Sequence, residues 1–376
     1  MKLYGNRGGA YAPSPRDRRP RKRRLSGVQR GSLLLLASLF ILVGTVAAIY
    51  RDFVKPVQLK TPQLPPSAGV GEKSDTSSFT PPTTIEIETE IDASTGQEVE
   101  VEVEVPASHK EGFYNILICG TDDSGSCTDT IMIARLDVND HSLALLSVPR
   151  DTLIYGNYTI PKINSVYGAA GGGAEGVEAL AAKLAETLGF QVDGYVLVKL
   201  EAFIELVDLV DGVEFDVPER LYYADPSQDL YIDLQPGLQT LNGIQAMGLV
   251  RYRGYDMADI ARTGVQQDFV RNLAKKYLSL TTLAKVGELA ALLQENVVTD
   301  LTLGNMVYFG QELLKCDFDQ MITHTLEGEG QAYVNGQDCY ALYPEAMLEV
   351  VNAYFNPYDA EITLDNVTVR TKSSLG

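Results

Sequence analysis

Hydrophobic residues between residues 113 and 357 occur in two kinds of pattern. Short apolar runs rich in branched residues predict buried strands; these runs are YNILICG from Tyr114, TIMIARLDV from Thr130 and SLALLSV from Ser142. The second pattern has helical spacing: Val177, Leu180, Ala181, Leu184 and Leu188. Gly189 ends that predicted helix, and the glycine run before it, GGGAEG, follows a loop and leads into it.

The same alternation continues towards the C-terminus. Strands are predicted for VDGYVLVKL from Val192, for VEFDV from Val213 and for residues 322–326. Helices are predicted around residues 202–209, 242–249, 262–280, 284–295, 303–314 and 344–354. Strands and helices that alternate without long gaps predict one three-layer α/β domain over residues 113–357. Residues 358–376 are a polar tail, expected to be frayed or a short edge strand.

The N-terminal part has a different texture. Residues 31–50 form an uncharged stretch of twenty residues, about 30 Å as a helix, which predicts a transmembrane helix. Residues 1–30 hold ten Lys or Arg and one acid, so this basic tail is expected in the cytoplasm and everything after residue 51 outside. A cleaved signal peptide is the alternative, but its apolar region is normally only about 7–15 residues long.

Residues 51–112 are rich in Pro, Ser, Thr and Glu and are interpreted as a linker. Within it, IEIETEI and VEVEVEV alternate strictly, which predicts a β-hairpin over residues 85–105 with one apolar and one glutamate face. Glutamates opposite glutamates would weaken such a hairpin, so a solvated acidic stretch is the alternative.

Charge and composition exclude several classes of function. The chain of 376 residues has a net charge of −19, and outside residues 1–30 it carries 21 basic and 49 acidic residues. A polyanion would be repelled, so no nucleic acid partner is expected. Three scattered histidines and four cysteines without a CxxC pair speak against a zinc site. Cys316 and Cys339 leave open a disulfide in the exported part of the chain.

Acidic side chains lie at the ends of the first two predicted strands. Asp122 follows the first strand, and Asp129 opens the second. Two carboxylates at neighbouring strand ends can share a divalent cation such as Mg²⁺, which takes one or two carboxylates, water and phosphate oxygens. The alternative is a tight acidic loop capped by its own Asp side chains.

Basic side chains occupy comparable positions. Arg150 and Asp151 follow the third strand, Lys162 lies in the next loop, and LVRYR places Arg251 and Arg253 on one side of an extended segment. Arg262 and Gln266 lie one turn apart at the start of a long helix. In so acidic a domain, repeated arginines indicate an anionic ligand such as phosphate, which guanidinium groups bind through paired hydrogen bonds. Salt bridges to nearby acids are the alternative.

These motifs resemble the LytR-CpsA-Psr family of cell-wall phosphotransferases. The matching segments are NILICGTD, TDT, LALLSVPRDT, KINSVY, YVLVKLEAFIELVDLVDGVEFDVP, LQPGLQTLNGIQAMGLVRYR and DIARTGVQQDFV. They extend from about Tyr114 to Tyr277 in the family's order, behind a membrane anchor as in the family.

The resemblance implies an α/β/α catalytic domain with a central mixed sheet. It would hold a polyprenyl-pyrophosphate-linked glycopolymer, with the lipid in an apolar groove between sheet and helices, and transfer the polymer to peptidoglycan. Asp122 and Asp129 match the family's metal-associated acids, for Mg²⁺ or Mn²⁺. The matches to its pyrophosphate-contacting positions are Arg150, Arg251, Arg253, Arg262 and Gln266, to which Lys162 is added as a further candidate. Asp151 matches the acid of the PRD motif, as an orienter of arginines or a base.

Two departures from the family pattern stand out. Cys127 replaces an arginine before the TDT triplet, and RTGVQ replaces RxERQ, so that Val265 stands at a usual arginine position. Two other functions remain open beside the transferase: a polyprenyl-diphosphate hydrolase that uses water as the acceptor, and a non-catalytic module that binds or senses lipid intermediates.

Overall fold

The structure is a computed structural model that describes residues 54–59, 79–91, 98–121, 126–225, 230–252, 254, 258–278 and 297–375. The predicted basic tail, the segment 31–50 and the predicted helix 284–295 lie outside these ranges. Within them, no helix has both the length and the apolar character needed to cross a bilayer.

The described residues form an α/β fold. Its strands are β1 (Thr83–Ile91), β2 (Glu98–Pro106), β3 (Phe113–Thr121), β4 (Thr128–Asp137), β5 (Ser142–Ser147), β6 (Gly194–Val198), β7 (Val213–Val217), β8 (Leu221–Asp225), β9 (Leu230–Leu234), β10 (Gly237–Leu241), β11 (Val297–Thr299), β12 (Ile322–Thr325), β13 (Gly328–Val334) and β14 (Gln337–Leu342). Its helices are α1 (Ser165–Ala169), α2 (Gly173–Leu188), α3 (Leu200–Leu209), α4 (Gly243–Arg251), α5 (Ala258–Tyr277), α6 (Leu303–Leu313) and α7 (Pro344–Val350).

The central sheet is mixed, as expected, and has six strands in the order β11-β6-β3-β4-β5-β12. Strand β3 pairs in parallel with β6 and antiparallel with β4, and β5 pairs antiparallel with β4 and in parallel with β12. The three strands predicted first are therefore direct neighbours. Because β4 is antiparallel to both neighbours, its start lies beside the ends of β3 and β5 on the same side of the sheet.

Each face of the sheet packs against helices. Leu117 and Cys119 of β3 lie in one core with Leu180 and Leu184 of α2. Tyr114 of the same strand points to the other face and contacts Phe309 of α6, with ring centroids 5.3 Å apart. The period of two along a strand explains this division.

Helix α2 illustrates why packing outweighs local preference. It begins inside the glycine run, where each glycine within a helix costs about 1 kcal/mol relative to alanine. Against this, Val177, Leu180, Leu184 and Leu188 are fully buried. Each such side chain contributes about 1.5–3 kcal/mol, so the buried face dominates. Gly189, at φ +80°, ends the helix as predicted.

A second core lies beside the sheet, among α3, α4, α5 and the strands β7 to β10. Its centre is Phe269 of α5, which is fully buried between the rings of Phe203 and Phe215 at 5.6 and 6.0 Å. Helix α4 begins with a reciprocal capping box between Asn242 and Gln245. This core holds α5 above the sheet and so determines the space between them.

The glutamate-rich segment forms the hairpin β1–β2, but its predicted division into an apolar and a glutamate face is wrong. The register pairs Ile87 with Glu102 and Glu88 with Val101, so each face carries both kinds of side chain. No glutamate opposes another in the described register, which removes the repulsion expected for the other arrangement. Ile85 and Ile87 are more than 60% exposed.

Two C-terminal features were not predicted. The hairpin β13–β14 is attached to the loop after β5 by backbone hydrogen bonds, from Leu153 N to Tyr340 O and from Tyr340 N to Asp151 O, both 2.8 Å. The expectation of a frayed tail or edge strand after residue 357 is wrong. Ile362 is buried in the main core, and Thr368 N donates to the carbonyl of Glu186 at 2.6 Å.

All four cysteines are free thiols. Cys316 packs near Phe309, whereas Cys339 packs with Leu153 in a separate cluster, so the pairing left open by the sequence is not formed. Cys119 is a buried core residue.

Candidate active site

The PRD segment turns away from the sheet immediately after β5. Val148 N still donates to Ile131 O of β4 at 2.9 Å, and then Thr152 N and Oγ1 both bond the carbonyl of Pro149. This turn presents Arg150 towards β4, where its guanidinium forms an ion pair with the Asp129 carboxylate. Acid and arginine from two separate motifs are therefore in contact.

A second ion pair extends this cluster. Nζ of Lys162 lies 3.1 Å from Oδ1 of Asp151, and Nε of Arg150 lies 4.0 Å from Oδ2 of the same carboxylate. Backbone bonds from Ile163 N to Thr152 O and from Asn164 N to Arg150 O place the two segments side by side. All four side chains are less than one-third exposed, so their charges are only partly screened by water.

These residues line a cavity of about 270 Å³ with a mixed lining, which we call the polar cavity because of its charged side chains. It lies at the ends of β4, β5 and β12, with part of the hairpin β13–β14 as a further wall. Its charged described residues are Asp129, Arg150, Asp151, Lys162 and Asp338. Burial raises the pKa of the Cys339 thiol in this wall, against the opposing effect of the Lys162 cation. That thiol is therefore protonated and a poor nucleophile at neutral pH.

A larger apolar groove of about 510 Å³ adjoins the polar cavity. It runs between the sheet strands β3, β4 and β6 and the helices α3 and α5. Its apolar lining includes Phe203, Leu206, Phe269, Val270, Leu273 and Ala274. An apolar groove between sheet and helices is what the family resemblance implied.

The polar cavity and the apolar groove share part of their walls. Asp129, Thr130, Met132 and Gln266 line both. The Gln266 side chain donates from Nε2 to the carbonyl of Val250 at 2.9 Å, which ties α5 to the end of α4. One charged group, the Asp129 carboxylate, thus lies where the apolar groove adjoins the polar cavity.

Arg251 lines the apolar groove and not the polar cavity. The prediction that Arg251 lies in an extended segment is wrong. Arg251 is the last residue of α4, and Tyr252 N donates to Gly248 O as in a helix. Leu249, two residues before Arg251, is fully buried in the second core and anchors this end of the helix. The Nη1 atom of Arg251 lies 3.6 Å from Sδ of Met247.

The remaining predicted site residues are not all described. Asp122 and Arg253 lie outside the described residues, and Arg262 belongs to α5 without a described side chain. Val265, at the family's usual arginine position, packs against the second core, so a hydrophobic contact replaces a basic group there. Cys127 is partly buried immediately before β4.

Sequence reasoning missed two groups at this site. Gln267 donates from Nε2 to Ser147 Oγ at 2.9 Å and to the carbonyl of His324 at 2.8 Å, and so fixes α5 to two strands of the sheet. Asp338 and Tyr340 line the polar cavity from β14, almost 190 residues after Arg150. Nothing in the local sequence around Asp338 signals this position.

The carboxylate oxygens at this site are compatible with binding of a divalent cation. In the described part of the chain, no three His, Cys, Asp or Glu side chains are grouped to enclose a metal. Mg²⁺ does not need such a cage, since one or two carboxylates suffice beside substrate phosphate oxygens and water. The Asp129 carboxylate, on the wall shared by the apolar groove and the polar cavity, is one suitable ligand.

Fold and site together define an α/β protein with an apolar groove that ends at a cluster of acids and basic side chains. The chain belongs to the LytR-CpsA-Psr family, which matches residues 81–356. This match includes the hairpin β1–β2 as well as the central sheet.

Two relatives of this chain have names that indicate different roles. The polyisoprenyl-teichoic acid–peptidoglycan teichoic acid transferase TagU of Bacillus cereus (strain AH820) is 30% identical over 198 residues, which are 51% of this chain and 62% of TagU. The regulatory protein MsrR of Staphylococcus aureus (strain COL) is 29% identical over 199 residues, 51% of this chain and 57% of MsrR. The matches thus span about three-fifths of these curated relatives.

The crystal structure of B. subtilis TagV is similar in fold, with a TM-score of 0.55 and 23% sequence identity. The similarity covers 64% of this chain and 95% of TagV.

Proposed function

We propose that this chain is a membrane-anchored, extracytoplasmic phosphotransferase that moves a glycopolymer from a polyprenyl-pyrophosphate carrier onto peptidoglycan. The observation that carries the proposal is the wall at Asp129 and Gln266, shared by an apolar groove and a charged polar cavity. A lipid pyrophosphate has the same division, with an apolar tail and a charged head. The name of TagU describes a transfer of this kind.

In this proposal the tail lies in the apolar groove and the pyrophosphate lies at the shared wall. The charge of the pyrophosphate is neutralised by Arg150, Arg251, Arg253, Arg262 and Lys162. Gln266 positions α5 beside the pyrophosphate. Phosphoryl transfer depends mainly on positioning and on stabilisation of charge, so it does not require a histidine or cysteine nucleophile. Asp129 and Asp122 would hold Mg²⁺ or Mn²⁺, which supplies charge neutralisation at the phosphate oxygens.

The anchor belongs to the proposal as well. Residues 31–50 would form the transmembrane helix, with residues 1–30 in the cytoplasm and the α/β domain outside. A linker of about 60 residues would let the domain reach both the lipid carrier and the wall.

The test uses the full chain in lipid nanodiscs with a synthetic polyprenyl-pyrophosphate-linked saccharide and MgCl₂. With peptidoglycan oligomers present, we expect a saccharide joined to peptidoglycan through a phosphodiester, and loss of that product when EDTA is added. Release of saccharide phosphate alone, with or without oligomers, would instead identify a hydrolase. Binding of the lipid without any turnover would favour a regulatory module, the role that the name of MsrR suggests for that relative.

A further inference from the structure

The order of the strands places the apolar groove and the polar cavity on opposite sides of β4. The apolar groove lies over β6, β3 and β4, whereas the polar cavity lies over β4, β5 and β12. Both spaces face α5, because Gln266 of this helix lines each of them. Thr263, one turn earlier in α5, lines only the polar cavity. The two spaces therefore adjoin each other along a path across β4, with a shared wall at Asp129 and Gln266.

In-line displacement gives this path a direction. The attacking and leaving oxygens lie on opposite sides of the phosphorus in the transition state. If the proposed function holds, the leaving group is polyprenyl phosphate with its tail in the apolar groove. The attacking hydroxyl must then approach from the other side of β4, which is the polar cavity.

We propose that the polar cavity is the subsite for the acceptor sugar, and that Asp338 of β14 is a specificity-determining residue that binds this sugar. The proposal rests on the proposed function and adds the place and the contacts of the acceptor. It covers residues of the hairpin β13–β14 that neither the sequence motifs nor the family resemblance singled out.

The size and lining of the polar cavity suit a single sugar ring. Its volume of about 270 Å³ lies just below the ~300–1,000 Å³ of pockets that enclose a drug-sized ligand, which favours one sugar ring over a polymer. Its lining residues include Asp151 and Asp338, which carry carboxylates, Lys162, which carries an ammonium group, and Thr325, which carries a hydroxyl. Charged acceptors and donors of this kind form the stronger hydrogen bonds to sugar hydroxyls.

The hairpin is held in place relative to the reacting groups. Tyr340 N donates to the carbonyl of Asp151, and Leu153 N donates to the carbonyl of Tyr340, so β14 is joined to the backbone of the PRD segment. Oδ1 of Asp338 accepts a hydrogen bond from Gln331 N at 2.9 Å, which ties its side chain to the irregular part of β13. A sugar bound to Asp338 is therefore positioned relative to Asp151 by these backbone hydrogen bonds.

The step balances in atoms and charge. The Asp151 carboxylate takes the proton of the sugar hydroxyl, and the resulting oxygen forms a bond to the phosphorus that carries the glycan. The bond from this phosphorus to the bridging oxygen breaks, and its electron pair leaves with polyprenyl phosphate. The products are a glycan–peptidoglycan phosphodiester and polyprenyl phosphate.

The first test compares Asp338→Asn with Asp233→Asn in the full chain in nanodiscs. Asparagine keeps an oxygen for Gln331 N but loses the charge, whereas Asp233 belongs to the hairpin β8–β9 and does not line the polar cavity. We expect Asp338→Asn to raise the KM for the peptidoglycan oligomer about tenfold or more, with a much smaller change in kcat and unchanged equilibrium affinity for the donor. Asp233→Asn should leave all three quantities unchanged.

A second test narrows the polar cavity without removing a charge. Gly330 lines it, and a Cβ atom at this position would meet no atom within 4 Å. We expect Gly330→Trp to lower transfer to peptidoglycan sugar at least tenfold relative to transfer to glycerol, because the smaller acceptor still fits.

The outcomes separate the two proposals. The acceptor subsite alone would be overturned if the wild type is active and both variants behave like it. That means an unchanged KM for the acceptor in Asp338→Asn and an unchanged ratio of transfer to sugar over transfer to glycerol in Gly330→Trp. Loss of affinity for the donor in Asp338→Asn would assign the polar cavity to the donor saccharide. That result would also overturn the acceptor subsite. A wild type that binds the donor but never transfers it would overturn the proposed function.

Discussion

The ammonium group of Lys162 lies 3.1 Å from the carboxylate of Asp151, and both side chains border the polar cavity. The two residues come from different motifs, PRD and KINSVY, whose backbones are joined by hydrogen bonds on either side of the contact. A candidate base is thus held in one orientation by a cation from the neighbouring loop.

Removing that cation should impair transfer. We expect Lys162→Met to lower kcat at least tenfold, because Asp151 loses the group that positions it and the pyrophosphate loses a nearby positive charge. Lys275→Met is a matched control, since Lys275 pairs with Asp319 on an exposed surface outside the lining of the polar cavity. Equal kcat values for the two variants would exclude Lys162 from the site.

Arg251 should contribute more than any single surface arginine. We expect Arg251→Ala to lower transfer about 10³-fold or more, by analogy with arginine fingers that stabilise transferring phosphoryl groups. The control is Arg220→Ala, which removes an exposed arginine paired with Asp233. Initial rates at saturating donor provide the measurement, and normal activity of Arg251→Ala would remove it from the active site.

The apolar groove should select for the lipid tail. Val270 of α5 lines it, so Val270→Trp would fill part of its volume. We expect the dissociation constant for a long polyprenyl donor to rise about tenfold, while that for a donor with a short soluble tail stays the same. Equilibrium binding of both donors to one preparation of the folded variant gives the comparison. Equal weakening of both would show that the tail lies elsewhere.

The stability of the domain should depend on the protonation of His109. Its Nε2 lies 3.1 Å from Oδ1 of Asp193, and both side chains are buried. Burial by itself lowers the pKa of His109, but the neighbouring Asp193 carboxylate and the backbone carbonyl of Lys110, 3.0 Å from Nδ1, outweigh it, so the net pKa is raised above 6.5. Lys110 opposes this shift through its positive charge.

Because the folded state binds this proton more tightly than the unfolded state, its contribution is complete below pH 6.5. It is lost as the pH rises from there through the raised pKa of the folded state. We expect the free energy of unfolding in urea to fall over this range, and to fall less steeply in His109→Gln. Identical pH slopes for both proteins would contradict the assignment.

Gly168 of α1 should be required for the approach to β4. A Cβ atom there would lie 2.0 Å from the backbone oxygen of Ser126, two residues before β4. We expect Gly168→Ala to lower the free energy of unfolding by about 1–3 kcal/mol. Gly264→Ala is the control, because its Cβ would meet no atom within 4 Å and alanine favours a helix by about 0.5–1 kcal/mol. The free energy of unfolding in urea should thus decrease in Gly168→Ala and increase in Gly264→Ala.

Local patterns were sufficient for much of the fold. The predicted strands in the regions of β3, β4 and β5 and the predicted core of α2 are present because each follows from a period of two or 3.6 in neighbouring residues. The presence of Asp129 and Arg150 at strand ends follows from the same short-range patterns. The family motifs are local as well, and the match over residues 81–356 confirms the resemblance.

Contacts between distant segments were decided only by the tertiary structure. The order β4-β5-β12 brings Asp129, Arg150 and β14 around one polar cavity, and no pattern within a strand specifies its neighbours. The helical conformation of Arg251 and the packed C-terminal tail depend on burial against partners far along the chain. Periodicity in the sequence determines which face of an element is apolar, whereas the lowest free energy of the whole packed chain determines what that face meets.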